Sequence, residues 1–488
     1  MTRTVTIVRG AQRGLILPGE KQPAADRPLK IASAPAQLAL STEQPDEGAL
    51  IPCVRAGEPV LQGQVIAWPQ DERGVPLHSP VSGHVARLED GDSIGSVAKV
   101  RVIVIDNDGR DERDPASTAI PDFTRDSPDE LLARIAAGGI VGLGGAAFPT
   151  HLKLAPLAAA PVDTLLLNGV ECEPGISCDD ALMRHRPEAV VMGAQVMLHI
   201  LGAARCVIAI EADKPEAIAA MSAAVRAAAD ERLTVSPVPV YYPAGGEKQL
   251  IASLWSKEVP AGGLPRDIGI VCQNVGTAAA IAALISTGEP LLRRIVTVTG
   301  NGVRHPCNLE VRLGTPLAHL VSECGGYTDE ASYLIAGGSM MGQALAHDEF
   351  SVAKSTHCVI VATRADVDRR GPVMPCIRCG NCAEVCPAGL LPQELHRYAC
   401  QADDINLARL NLPDCIECGC CDVVCPSQLP LTSVFRVARA RLAHSAEEAA
   451  RHTLSRRQFE AHTQRLADDE SARQRTLRER RPGGNTER

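Results

Sequence analysis

Aromatic side chains make up only 2% of this 488-residue chain, with 2 Trp, 5 Tyr and 5 Phe. Cores must therefore be filled by Ala, Val, Leu and Ile, which suits α/β layers and small β domains better than a large sandwich. Positive charge is not in excess either: the net charge is -9, which argues against nucleic acid as a partner of the whole chain. An apolar run long enough to cross a bilayer is also missing. The most apolar long window, Val190 to Ile210, is interrupted by Gln195, His199 and Arg205 and reads as a helix and a strand in a soluble core. The first nine residues carry basic groups but no apolar segment or small-residue cleavage site. The expectation is a cytoplasmic chain without a transmembrane segment of its own. Its length excludes a single ordinary core and suggests three or four domains.

Cysteine, by contrast, is plentiful, with 18 in the chain. In a reducing compartment this points to metal chemistry and away from disulfides. Eight of them spell one phrase twice, C-x2-C-x2-C-x3-C-P, from Cys376 to Pro387 and from Cys415 to Pro426. That is the bacterial ferredoxin run, in which three closely spaced thiolates hold one cubane and the fourth reaches across to the other. Two [4Fe-4S] clusters are expected: one on Cys376, Cys379, Cys382 and Cys425, the other on Cys415, Cys418, Cys421 and Cys386. Structural zinc, which takes its four ligands as paired C-x2-C or Cys/His sets, matches this spacing less well. Cys420 has no place in the repeat and reads as a bystander. The cysteines outside the repeat are expected to be small buried residues.

Upstream, residues 51 to 105 alternate apolar and polar between Gly and Pro marks, as short half-buried strands do. The segments Gly57 to Ala67 and Ser79 to Val85 resemble the barrel-sandwich folds of lipoyl and biotinyl carrier domains. No lysine occupies the tip between them, so a docking or structural module is expected. After an acidic linker, Asp106 to Asp114, Ser127-Pro128-Asp129-Glu130 announces a helix: N-cap, first-turn proline and capping box. Gly138-Gly139 ends it. The loop Gly142 to Lys153 follows a helix, whereas a Rossmann fingerprint follows a strand. Its glycines and Lys153 still suit a phosphate-bearing cofactor. A buried strand, Val162 to Asn168, then runs into Gly169-Val170-Glu171-Cys172-Glu173-Pro174-Gly175. On these residues alone, two acids in a turn read as solvated. Beyond them the pattern predicts a helix over Ala181 to Leu201, a strand over Arg205 to Glu211, a helix over Pro215 to Asp230 and a strand over Val238 to Tyr242, hence a parallel sheet.

Asn168 to Arg184 (N-G-V-E-C-E-P-G-I-S-C-D-D-A-L-M-R), Tyr242 to Ile251 (Y-P-A-G-G-E-K-Q-L-I), the glycine loop and the doubled cysteine phrase resemble the flavin- and NADH-binding subunit of respiratory complex I. They are more similar still to the C subunits of Rnf electron-transport (ferredoxin:NAD oxidoreductase) complexes. Val170, Leu143 and Lys248, which depart from the complex I pattern, favour the Rnf branch. The resemblance spans residues 50 to 435. It implies that Gly142, Gly144, Gly145, Lys153, Asn168 and Asn274 hold FMN, and that Gly246 and Glu247 close over it. Glu171 and Glu173 would line the flavin and nicotinamide site as the catalytic pair. Phe148 would stack on the NADH adenine, alone and so for about 1 kcal/mol. Cofactors implied are FMN, NAD(H) and the two clusters. The implied partners are other subunits of a membrane electron-transport complex, one an iron-sulfur subunit, with this chain peripheral on the cytoplasmic side of the inner membrane.

Arg293 to Gly302 and Asn308 to Pro316, with a helix to Cys324, resemble the β-grasp insert of the same families, and the Gly337 to Met341 loop is expected to pack near the cofactors. A closing strand region is expected over Phe350 to Val361, and helix over Leu391 to Leu410. From Arg436 onward 13 Arg or Lys face 8 Asp or Glu, and Pro and Gly are absent until Pro482. One or two polar helices follow from that, either solvated or docking to an acidic partner or anionic surface. The expected architecture is thus multidomain α/β: a barrel-sandwich β domain (1–115), an FMN/NADH-binding α/β domain (116–290), a β-grasp domain (291–365), a ferredoxin-like two-cluster domain (366–435) and a charged helical tail (436–488). Two other functions share these modules: a soluble flavin/iron-sulfur reductase like the cobalamin reductases, and an iron-sulfur carrier scaffold that binds no flavin.

Overall fold

The computed structural model describes residues 5–10, 12–44, 48–71, 73–96, 98–155, 161–367 and 371–479. The chain forms two compact units, one of residues Met1–Gly389 with Cys418–Leu429, the other of Leu390–Glu417 with Pro430–Arg488.

In the larger unit two four-stranded antiparallel sheets make the barrel-sandwich. One orders Gln37–Ser41, Val100–Asn107, Gly83–Gly91 and Pro59–Val60; the other Glu43–Gln44, Gly48–Pro52, Val65–Pro69 and Leu77–His78. Period-two alternation turns Leu38, Leu40, Val85, Ile103 and Ile105 inward. Among the described residues before Gln37, short pieces pair outside these two sheets. Thr6–Val8 and Gly14–Ile16 form a separate hairpin, and Lys30–Ile31 adds an edge strand to a later sheet, parallel to Cys307–Arg312.

The central layer is a four-stranded parallel sheet in the order Leu233–Val238, Arg205–Glu211, Thr164–Gly169, Ile270–Asn274. Both neighbours of the Thr164–Gly169 strand are parallel to it, and Leu165, Leu166 and Leu167 are fully buried, as a strand covered on both faces requires. The helix at Pro128–Ala137 has the expected capping box between Ser127 and Glu130 and stops at Gly138.

Two expectations here need correction. The helix over Ala181 to Leu201 is two helices, Cys178–His185 and Pro187–Leu201, because Pro187 excludes Arg186 from helical geometry and then begins the second helix itself. The strand placed at Val238 to Tyr242 lies earlier, at Leu233–Val238. It is an edge strand, where Pro237 costs no ladder hydrogen bond. Tyr242 leaves the sheet and exchanges backbone bonds with Leu15, N–H to O at 2.7 and 2.8 Å.

A six-stranded mixed sheet follows, ordered Gln343–Leu345, Ala331–Ala336, Cys358–Thr363, Arg293–Thr299, Cys307–Arg312 and Lys30–Ile31, with the helix Leu317–Glu323. The closing strand is therefore shorter and later than Phe350 to Val361. In the smaller unit Pro392–Cys400 and Asp404–Arg409 are helical, as expected, beside one 49-residue helix, Leu431–Glu479. That helix begins before the expected tail because Leu431, Phe435 and Ala438, at helical spacing, are buried. Arg436 and Arg439 pair with Glu417, and Arg441 with Asp404. From Glu447 to Leu477 it is exposed; residues 480–488 of the expected tail lie outside the described residues. No described helix is long and apolar enough to cross a membrane.

Candidate functional site

Parallel strands leave their carboxyl ends open to ligands. Here the neighbouring strands Thr164–Gly169 and Ile270–Asn274 bring two asparagines, Asn168 and Asn274, into direct register at these ends. Asn168 accepts from the Val170 N–H at 3.0 Å and donates from Nδ2 to the Gly245 carbonyl at 2.9 Å, which joins the Glu171 turn to the Gly245–Glu247 loop. Asn274 caps the helix Val275–Thr287, accepting from the Gly276 N–H at 2.8 Å, and donates to Asp179 Oδ2 at 2.7 Å. The glycine loop folds over the same edge. A Cβ on Gly144 would stand 3.4 Å from Asn274, and Gly145 sits at φ +113°, a conformation side chains rarely adopt. The Leu143 N–H donates to Thr277 Oγ1 at 2.9 Å, and its carbonyl accepts from buried Arg294 at 3.0 Å. Gly142 donates to the Phe148 carbonyl at 2.9 Å, and the Phe148 ring is 37% exposed. The residues 156–160, where no second aromatic follows, lie outside the described residues.

Lys153, on the short helix Thr150–Leu154, forms an ion pair with Glu247, the first residue of the helix Glu247–Trp255 that Gly246 precedes. Two residues expected to meet the cofactor separately are thus paired with each other. A cavity of about 400 Å³ lies behind the glycine loop, lined by Leu143, Asp179, Gly276 and Arg294. Asn168, Lys153, Gly246 and Glu247 are not part of its wall.

The solvated reading of Glu171 and Glu173 is overturned. Glu171 is buried, and its carboxylate accepts from the Asp179 N–H at 2.8 Å, the Asp180 N–H at 3.4 Å and the Cys178 thiol at 3.3 Å. The Glu171 carboxylate thus lies against the first turn of the helix Cys178–His185, where the N–H groups favour negative charge. Burial, then the charge of Glu171, pushes Asp179 up to about 7. Glu173 accepts from the Met340 and Met341 N–H groups at 3.0 and 3.3 Å, while burial raises its pKa. A Cβ on Gly338 would fall 1.9 Å from its Oε2, so the Gly337 to Met341 loop is shaped around this acid.

The cysteine phrases repeat in backbone as in sequence. Cys376 and Cys415 are 39 positions apart. At that same offset lie the left-handed pairs Arg378 and Glu417 (φ 56° and 55°), Gly380 and Gly419 (85° and 74°), and Gly389 and Gln428 (66° and 54°). Non-glycine residues avoid this region at about 1–2 kcal/mol each, so its recurrence at Arg378 and Glu417 marks a shared loop form. Short helices Asn381–Glu384 and Cys420–Val423 follow each turn and pack on one another. The Met374 N–H donates to the Ser427 carbonyl at 2.9 Å, which brings the start of the first phrase beside the end of the second. Cys420 is fully buried, with its thiol raised first by a hydrogen bond with Cys418 and also by the charges of Cys421 and Cys386. The bystander is therefore a buried neighbour of three expected ligands.

Outside the repeat, Cys53 and Cys400 are exposed, contrary to expectation, since each sits at the end of its element. Cys307 and Cys324 are buried with sulfurs 3.0 Å apart. Sequence reasoning missed Asp179, Arg294 and Tyr242. Asp179 and Tyr242 lie inside quoted motifs; Arg294 carries no local signal, being one of two arginines opening a strand.

The Nuo51 FMN-binding domain model matches residues 135–283, the SLBB domain model 295–344 and the RnfC barrel sandwich hybrid domain model 10–110. The C subunit of the ion-translocating oxidoreductase complex of Pseudomonas aeruginosa is 42% identical over 94% of this chain, which spans 59% of that relative's length. Its namesake in Erwinia tasmaniensis is 39% identical over 94% of the chain and 57% of the relative. That of Rhodobacter capsulatus is 40% identical over 84% of the chain and 78% of the relative.

Proposed function

We propose, from the premise that this chain belongs to the family of C subunits of ion-translocating oxidoreductase complexes, that it exchanges electrons between NAD(H) and the rest of such a complex through FMN and two [4Fe-4S] clusters. The observation that carries this reading is the meeting of Gly144, Asn168, Asn274 and the Gly245–Glu247 loop at the carboxyl ends of the parallel strands, under the matched FMN-binding domain. FMN, when bound, takes a two-electron hydride and hands on single electrons.

The residues present fit that cofactor. Gly144 keeps a side chain out of the approach to Asn274, Gly145 takes the left-handed turn beside it, and the loop is braced from behind by Thr277 and Arg294. Lys153, beside Glu247, is a cation of the cleft and would face the phosphate; exposed Phe148 would stack on the adenine of NADH. Glu171 and Glu173 act from beneath, ordering the helix Cys178–His185 and the Met340 loop. The cysteine loops fit cubanes: the backbone repeat supports two equivalent wraps, and the Met374–Ser427 bond together with the packing of helices Asn381–Glu384 and Cys420–Val423 supports crossed ligation. The partner would be an iron-sulfur subunit, with this chain peripheral on the cytoplasmic face of the inner membrane.

Anaerobic purification tests the reading. Roughly eight irons per chain, bound FMN and bleaching of both chromophores by NADH are expected. Full clusters without flavin would favour an electron-carrier scaffold instead.

A further inference from the structure

We propose that the cluster held by the Cys418–Cys421 loop is the inner one, next to the flavin cleft, and that Tyr242 is the positioning residue that ties cleft and cluster together. This rests on the functional reading above.

Two chains of contact lead from the cleft to this loop. Tyr242 is 2% exposed, and its hydroxyl donates to the Cys418 carbonyl at 2.7 Å. The backbone that follows it runs directly into Gly245, whose carbonyl is held by Asn168 and whose N–H donates to Cys172 Sγ at 3.3 Å. The second chain starts at Glu173, which holds the Met340 and Met341 N–H groups. Met340 then lies against Gly419: a Cβ there would stand 3.3 Å from the Met340 carbonyl oxygen and 3.7 Å from its terminal methyl. Both paths enter the second phrase at adjacent residues.

The first phrase leans elsewhere. Glu384 accepts from Arg9 at 2.9 Å, and Gly389 faces Arg13, both on the N-terminal segment. Burial follows the same division, with Cys418 buried while Cys376 and Cys379 are exposed. Cluster potentials respond to burial and to nearby donors, so two wraps of one sequence form become electronically different sites. The Tyr242 hydroxyl points the positive end of its dipole at the Cys418 backbone. It thereby favours the more negative, reduced state of that cluster.

The test uses the full chain, purified anaerobically with its cofactors, and reads each cluster by EPR after NADH or dithionite. In Cys379→Ser, NADH is expected to reduce the remaining cluster at an undiminished rate. In Cys421→Ser, NADH still bleaches the flavin, and the remaining cluster accepts electrons from dithionite but at least tenfold more slowly from NADH. Tyr242→Phe decides the matter without touching a ligand. Iron and FMN content are expected to stay unchanged, and the midpoint potential of one cluster, the one lost in Cys421→Ser, moves down while the other stays. The reverse pattern in the cysteine variants, or a Tyr242→Phe shift in the other cluster or in neither, overturns the order. A chain that binds no FMN overturns the functional reading and the order together, whereas a bleached flavin with the reverse pattern overturns the order alone.

Discussion

The two cysteine phrases share their spacing and left-handed turns, yet they live in different surroundings. The first exposes Cys376 and Cys379 and meets the N-terminal segment through a surface ion pair; the second buries Cys418 and Cys420 under Tyr242 and Met340. The difference teaches that a repeated sequence reproduces local geometry, because turn conformation is encoded locally, while the role of each copy comes from what is packed on it. A duplicated motif thus acquires a covered copy and an open one.

The largest expected effect comes from breaking the crossing itself. Cys425→Ser, although in the second phrase, should cost the cluster of the first, and Cys386→Ser the reverse. Each should leave roughly four of eight irons, with the surviving EPR signal differing between the two variants. Identical surviving signals would remove the crossed scheme.

Next in size is a substitution made at matching positions. Gly380→Ala and Gly419→Ala both put a side chain at positive φ, for about 1–2 kcal/mol each. A Cβ on Gly380 meets open space, whereas one on Gly419 crowds the Met340 carbonyl at 3.3 Å. Thermal unfolding should therefore show Gly419→Ala as the more destabilised. Equal losses would mean that the Met340 contact is not felt.

A pH series separates the flavin side from the cluster side. Asp179 titrates near 7 in the folded protein against an ordinary 3.8, so between these values the folded state holds a proton that the unfolded chain has released. Its contribution to stability is complete below about 3.8 and declines as pH rises through about 7. Asp179→Asn should flatten that decline in urea unfolding at pH 5 and pH 8 without changing iron content. An unchanged slope would show that Asp179 ionises normally.

The smallest effect is expected on the outer copy. The side chains of the Arg9 and Glu384 pair are 69% and 48% exposed. Arg9→Ala should change stability by less than about 1 kcal/mol and leave both clusters intact. Loss of a cluster on this change would show that the N-terminal segment holds the outer wrap in place.

Much of this molecule was legible in the chain. The cysteine spacing, the capping box at Ser127 and the alternation of strands with helices depend on covalent spacing and nearest neighbours, so they survive reading in one dimension. Asn168 and Asn274 were legible through resemblance, and the parallel register places them side by side. What failed did so where distant residues intervene. The strand expected at Val238 to Tyr242 moved because Leu15, more than 200 positions away, takes over the backbone of Tyr242. The two acids expected to be solvated are instead held inside, Glu171 buried and Glu173 half-buried, because helix N–H groups and the Met340 loop receive them. Sequence by itself determined the repeated cysteine spacing and the glycine loop. Only tertiary structure decided that Lys153 pairs with Glu247, that Arg294 braces Leu143 and that Tyr242 reaches Cys418. Each of those contacts joins segments with no sequence proximity, and burial sets its strength.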